Sequence, residues 1–299
     1  MDRPDRDRLA RPRRSVLYMP GSNARALEKA RSLPADALIL DLEDAVAPDA
    51  KEAARAQVLA AVAAGGYGPR ELAIRVNALA TPWGHADLIA AATAGADAVL
   101  LPKVESAQSV REAAAVLEAA GAPPGLALWC MMETPRGVLQ AAAIAAAHPR
   151  LAVLVMGTSD LAKDLHAHHT PLRLPLVTGL GLCLLAARAE GLAIVDGVHL
   201  DLADEEGFAA ACRQGLELGF DGKTLIHPRT IETANRIFAP GEAEIAQARR
   251  IIAAHAEAAA AGQGVVVLDG RLIENLHVAE ARRKVALAEA IASRTAAAA

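Results

Sequence analysis

Along the chain, apolar runs of strand length alternate with longer stretches whose apolar residues recur at helical spacing. SVLYMP (15–20), ALILDLEDAV (37–46), ELAIRVN (71–77) and AVLLPKVE (98–105) read as the first four strands. The stretch 126–165, LALWCMMETPRGVLQAAAIAAAHPRLAVLVMGTSDLAKDL, reads as strand, helix, strand. AIVDGVHL (193–200) and DGKTLIHP (221–228) complete a set of eight. Helical patterns lie between them, at 23–33, 81–95 and 182–191 among others. The unit recurs about every 25 residues, which predicts an α/β chain of the (β/α)8 TIM-barrel class spanning 13–241.

After the barrel the pattern changes. Residues 242–262 form an Ala-rich helical run, VVVLDGRLIE (265–274) is a hairpin around an Asp-Gly turn, and 275–294 is a last helix. A two-stranded ribbon is marginal in water without a surface to pack on. The 242–299 helix–hairpin–helix extension is therefore expected to lie as a lid on a larger body. That body is the parent barrel or, preferred here, a neighbouring subunit.

Composition adjusts this picture in a few places. Apolar residues make up 53% of the chain but aromatics only 2%, so Ala, Val and Leu must fill the core. A net charge of −4 offers no basic field for nucleic acid. The opening MDRPDRDRLARPRR is charged and lacks an apolar stretch, so no secretory signal is expected. Apolar runs are broken before membrane-spanning length, apart from weak Ala-rich helices, so no membrane association is expected. Cys130, Cys183 and Cys212 are odd in number, far apart and outside any CxxC pair, which suits reduced thiols in the cytoplasm.

The chemistry gathers at strand ends. Consecutive parallel strands joined by a helix point the same way, so Glu133 and Asp160, ending strands five and six, emerge as neighbours on one rim. Two carboxylates with room for water and substrate oxygens suit a hard divalent cation, Mg²⁺ with Mn²⁺ as the alternative. Each acid could instead cap the helix that follows it or pair with a nearby base. Asp41, Glu43 and Asp44 crowd the end of the second strand, which is costly unless cations or donors offset the repulsion. Lys51 and Arg55, a helical turn apart, are placed to neutralise part of that charge.

Arg75 interrupts the third strand and needs an anionic partner. Glu43 or Asp44 would make it structural; a substrate carboxylate held in bidentate fashion would make it functional. Lys103 and Glu105 ride the fourth strand to the same rim, and Asp196 is a further candidate there. Arg14 and Tyr18 flank the Pro20-Gly21-Ser22-Asn23 junction, which is either an anion-holding helix start or a plain turn. With Lys51 they are the candidate cofactor-binding residues.

Other motifs fall away. Gly157-Thr-Ser159-Asp lacks the second glycine of a nucleophile elbow, and no Walker A or GxGxxG loop follows a strand. His166, His168 and His169 match no usual zinc spacing. Lys103 and Lys223 read as salt-bridge partners rather than Schiff-base lysines.

Taken together, RRSVLYMPGSNARALEKA, LILDLEDAVAPDAKEAAR, IRVN, LLPKVE, METPRGVL, GTSDLAKDL and GFDGKTLIHP resemble the citrate lyase β-subunit-like family, which includes malyl-CoA and citramalyl-CoA lyases. The match runs from about Arg13 to the last helix. The resemblance implies a Mg²⁺-dependent TIM barrel that acts on a CoA thioester, with an acyl-CoA and a keto acid as its small-molecule partners. It also implies a homotrimer or a dimer of trimers. By motif, Glu133 and Asp160 correspond to the metal ligands, Arg75 to the catalytic residue that polarises the keto-acid oxygen, and Glu43 and Asp44 to its acidic support.

The family's tail places an Asp after Gly-x-Met-Ile, and that Asp reaches a neighbouring active site as the acid/base. Here Gly270-Arg-Leu-Ile-Glu274 puts a Glu in that position, one methylene longer. The segment GRLIENLHV also resembles the (3S)-malyl-CoA thioesterase branch. The expectation is a carbon–carbon lyase acting on malyl-, citramalyl- or citryl-CoA, with thioester hydrolysis in the same pocket as the alternative.

Overall fold

The computed structural model describes residues 11–260 and 266–298. They fall into two compact units, one of residues 13–238 and one built from 239 onward together with 11–12.

The first unit is a closed barrel of eight strands: β1 (Ser15–Pro20), β2 (Ala37–Asp41), β3 (Glu71–Arg75), β4 (Ala98–Leu101), β5 (Ala127–Met132), β6 (Leu151–Met156), β7 (Ala193–Asp196) and β8 (Gly222–Leu225). Every pairing is parallel, and β1 closes on β8 with Val16 opposite Thr224. Helices wrap it: α1 (Ala24–Ala30), α2 (Lys51–Ala64), α3 (Gly84–Ala92), α4 (Ala107–Ala119), α5 (Pro135–Leu139), α6 (Ala141–Ala145), α7 (Thr158–Asp164), α8 (Leu174–Ala189), α9 (Glu205–Leu218) and α10 (Ile231–Phe238). This is the (β/α)8 TIM barrel that the repeat predicts.

Strand residues divide by parity. Val16, Ile39, Trp129, Val153 and Val195 fill the barrel, while Leu17, Leu38, Leu40, Leu128 and Leu154 pack outward under the helices. Ala37, Ala73, Ala98, Ala127 and Ala193 are the small interior residues. They leave room for Trp129, which is fully buried. Few aromatics therefore suffice. The helices carry local signals: in α4 the Ser106 hydroxyl accepts the Ser109 N–H, and Val110, Ala113, Ala114 and Leu117 form its buried stripe.

Several strands end earlier than their apolar runs. β2 stops at Asp41 because its carboxylate accepts the N–H groups of Glu43 and Ala45 and turns the chain. β4 stops at Leu101, where Pro102 removes a donor and Lys103 turns left-handed at φ 51°. The helical run between β5 and β6 breaks in two at Gln140. α8 begins at Leu174, earlier than the 182–191 pattern, with Pro175 in its first turn.

The second unit contains α11 (Glu242–Ala260), β9 (Val266–Leu268), β10 (Arg271–Ile273) and α12 (Asn275–Ala298). Asp269 and Gly270 both have positive φ, 51° and 74°, as a two-residue type I′ hairpin turn requires. Its small core includes Ala248, Ala258, Ile273, Val278 and Ala281, with Arg250–Asp269 and Lys284–Glu244 ion pairs outside. α12 outruns its expected end because the residues after Arg294 are mostly alanine, the best helix former. Val265 of the expected hairpin lies outside the described residues.

Candidate active site

Side chains from β1 to α7 converge at the C-terminal ends of the strands, where barrel enzymes place their chemistry. Counting by twos along β5, Trp129 and Met131 point inward, and Glu133 follows them at the rim, 1% exposed. Asp160 comes from the first turn of α7, after β6. The two acids meet at one cation: the Lys103 Nζ pairs with Asp160 Oδ2 and lies 3.5 Å from Glu133 Oε1. The Lys103 backbone N–H also donates to Glu133 Oε1 at 2.7 Å. Burial pushes the Glu133 carboxyl up against the pull of Lys103. At Asp160 burial raises and the Lys103 hydrogen bond lowers, and the net result is a more acidic group.

Beside this pair, Asp41 and Arg75 lie opposite each other in the β2–β3 register. Arg75 Nε and Nη2 each donate to Asp41 at 2.7 Å. Arg75 Nη1 lies 2.8 Å from Glu43 Oε2, an ion-pair contact without hydrogen-bond alignment, and 3.5 Å from Asp44. The Tyr18 ring packs against the guanidinium at 4.8 Å, with its hydroxyl toward Met131 Sδ. Burial works against the charge of Arg75, but Tyr18, Asp41 and Glu43 more than offset it. Glu43 is raised to about 7, chiefly by burial and next opposed by Arg75, with Asp44 and Glu133 adding repulsion.

The sequence-derived candidates are thus partly redistributed. Arg75 does not offer its two-pronged face to a substrate, because Asp41 occupies it; only the Nη1 edge remains, and it is shared with Glu43 and Asp44. Arg14 is not at this rim. It precedes β1 at the opposite end of the barrel, and its guanidinium grips Asp36, just before β2. Lys51 is buried and donates to the carbonyls of Leu42 and Glu43, so it anchors the acidic loop rather than presenting its charge to a ligand. Arg55 pairs with Asp87, not with the acid cluster.

Asp196 points away from the axis, into a fully buried salt bridge with Lys223 that Arg173 also joins. His166, His168 and His169 are exposed, and among the described residues no three metal-binding side chains cluster. The thiols are buried, with Cys183 and Cys212 pushed up to about 12, out of nucleophile range. Glu274 belongs to the second unit, exposed at the start of α12, where its N–H donates to His277 Nδ1.

Two rim residues have roles that the sequence does not show. Asp41, one of the three crowded acids, orients Arg75. Asn77, two residues beyond Arg75 and so on the same face, holds the Leu42 carbonyl and Asp87. A cleft of about 780 Å³ runs beside Lys103, lined by Asn77, Leu79, His85, Ser106 and Thr134 among others.

The rim fits a divalent cation. Its donors are carboxylate oxygens, a cationic ammonium already stands between them, and Gly157 leaves the room that the Glu133 side chain needs. A Cβ there would lie 2.4 Å from Glu133 Cβ and 2.5 Å from Glu133 Oε2.

Fold and rim together define a (β/α)8-barrel protein with an acidic mouth. Residues 14–228 match the HpcH/HpaI aldolase/citrate lyase family, and the chain belongs to it. It is 56% identical over 284 residues to a protein of Cereibacter sphaeroides (strain KD131 / KCTC 12085) named (3S)-malyl-CoA thioesterase, covering 95% of this chain and 97% of that one. It is 38% identical over 287 residues to citrate lyase subunit beta of Escherichia coli (strain K12), covering 94% and 95%. CitE from Mycobacterium tuberculosis, solved with magnesium, acetoacetate and coenzyme A, superposes with a TM-score of 0.73 at 31% identity, covering 94% and 99%.

Proposed function

We propose that the chain is a Mg²⁺-dependent enzyme that hydrolyses a malyl-CoA-type thioester to the free hydroxy acid and coenzyme A. The observation that supports it most is the 56% identity, over nearly the whole of both chains, with (3S)-malyl-CoA thioesterases. Motifs alone put carbon–carbon cleavage first. The greater similarity to the thioesterases than to citrate lyase, at 38%, reverses that order.

Glu133 and Asp160 would hold the cation through oxygen alone. Bound there, Mg²⁺ supplies a Lewis acid against negative charge developing on the substrate oxygens. Arg75, held rigid by Asp41 and Tyr18, turns its Nη1 edge to the same charge. The Glu274 carboxylate, delivered by the second unit of a neighbouring copy in a trimer or dimer of trimers, takes a proton from water. The water oxygen adds to the thioester carbonyl carbon, the C–S bond breaks, and the CoA thiolate leaves with the proton that Glu274 took.

A second reading is supported by the likeness to citrate lyase subunit beta and to the CitE complex with acetoacetate. In it the substrate hydroxyl gives its proton to the Glu274 carboxylate, and the bond from that carbon to the acyl-CoA α-carbon breaks. The keto acid leaves, and protonated Glu274 donates to the enolate carbon.

Incubating the purified protein with (3S)-malyl-CoA and Mg²⁺ separates the two. Malate and free CoA without glyoxylate is the expected result. Glyoxylate with acetyl-CoA makes the protein a lyase, and no turnover of any CoA ester removes both readings.

A further inference from the structure

We propose that Lys103 is a built-in counter-ion. Its ammonium holds the place between Glu133 and Asp160 that a divalent cation takes, so metal entry is an exchange and the site's affinity is set by that competition. This rests on Glu133 and Asp160 being the cation's ligands.

Lys103 touches both acids, pairing with Asp160 Oδ2 and lying 3.5 Å from Glu133 Oε1. The other cations of the rim do not: Arg75 faces Asp41, Glu43 and Asp44, and Lys163 reaches Asp160 but not Glu133. The main chain fixes the lysine there. Its left-handed backbone, φ 51°, aims its N–H at Glu133 Oε1, 2.7 Å away, so the stem starts beside the acid it neutralises.

Two cations in contact with the same pair of carboxylates repel, so a divalent ion must turn the ammonium out. The apparent affinity then falls by the fraction of molecules in which Lys103 has already vacated the pair. The displaced side chain has an exit. It is 32% exposed and lines the 780 Å³ cleft, whose wall carries the carboxylates of Glu105 and Glu112. Without metal, the same ammonium keeps two crowded acids from destabilising the barrel mouth.

The test is calorimetric titration of the metal-free, full-length protein with Mg²⁺ alone, alongside thermal unfolding in chelator. Lys103→Met is expected to tighten Mg²⁺ binding on the order of tenfold or more. It should lower Tm in chelator while leaving the Mg²⁺-saturated Tm near wild type. Lys103→Arg, which keeps the charge, should bind Mg²⁺ as weakly as wild type. Lys163→Met should change the affinity by less than about twofold, because Lys163 is 70% exposed and screened.

If Lys103→Met does not fold, Lys103→Gln is read in its place, with tightening again expected. Unchanged or weaker binding in the neutral variant overturns the proposal, as does equal tightening in Lys163→Met. Asp160→Asn distinguishes the two levels. Loss of Mg²⁺ binding there with no effect of Lys103→Met ends only the counter-ion role. Wild-type binding in Asp160→Asn ends the ligand assignment and this inference with it.

Discussion

Asp41 and Arg75 face each other across neighbouring strands and form a two-pronged ion pair, both contacts at 2.7 Å, with neither residue more than 6% exposed. Removing one member of such a pair leaves a buried charge short of a partner, which typically costs about 3–5 kcal/mol. Glu43 still stands 2.8 Å from Arg75, so Asp41→Asn is expected near the lower end of that range. Arg75→Gln alone should also destabilise. The double variant should lose less than the sum of the two, since the partners act as a unit. Urea unfolding of the four proteins measures this, and strict additivity would show that the pair is not coupled.

Arg75→Lys tests the chemistry instead. A lysine can satisfy Asp41 as a point charge but cannot span Asp41 and Glu43 with one planar group. A fall in kcat/KM of roughly a hundredfold is expected, comparable to losing an oxyanion donor, with most of it in kcat. Near-normal kcat with a raised KM would mean that Arg75 only binds substrate.

Gly157 makes a steric prediction with a built-in control. In Gly157→Ala the new methyl would meet Glu133 Cβ at 2.4 Å and Oε2 at 2.5 Å, so Glu133 must move. Overpacking of this kind costs about 1–3 kcal/mol, and Mg²⁺ binding should fall with it. Gly181→Ala, in α8 with nothing within 4 Å of the added carbon, should instead stabilise by about 0.5–1 kcal/mol through helix propensity. Thermal melts and Mg²⁺ titrations of both variants read the two signs.

The Glu43 carboxyl sets a pH dependence of stability in the metal-free protein. Burial raises it from 4.5 to about 7, so the folded state holds this proton more tightly than the unfolded chain does. Its contribution is complete below about pH 4.5 and is lost as pH rises through about 7. The loss amounts to at most about 3 kcal/mol. Glu43→Gln imitates the protonated form, so it should flatten the fall of unfolding free energy between pH 5 and pH 8. An identical pH slope in variant and wild type would remove Glu43 as its source.

The barrel was legible because parallel strands buried on both faces are written as unbroken apolar runs, and the helices between them repeat. The meeting of Glu133 and Asp160 was legible for the same reason: both follow strands that must point the same way. Direction along the strand separates Arg14 from the rim. It sits four residues before Tyr18, which at strand rise is about 13 Å and the opposite end of the barrel.

Parity would have placed Asp196 correctly, since Ala193 and Val195 face inward and their neighbour cannot. The Asp41–Arg75 pair depends on the β2–β3 register, which no single strand encodes. The role of Lys51 is not written in its own position, because a buried ammonium can spend its donors on carbonyls, a choice set by how the chain turns after Asp41.

The last prediction concerns Glu274. If the second unit serves a neighbouring copy, Glu274 and Asp160 of one working site come from different chains. Glu274→Ala and Asp160→Asn should each be nearly inactive alone. Unfolded together and refolded at equal amounts, they should regain activity. Random assembly of such shared sites leaves roughly a quarter of them with both residues intact. If Glu274 served its own barrel, every site in the mixture would lack one residue, and no activity would return. Glu274→Asp then probes the role of the longer side chain. A group that only carries a proton to carbon tolerates the shorter acid, whereas one that positions water does not. Hydrolysis should therefore drop in Glu274→Asp by more than any glyoxylate-forming activity does. A Glu274→Ala protein with wild-type turnover would dismiss the residue altogether.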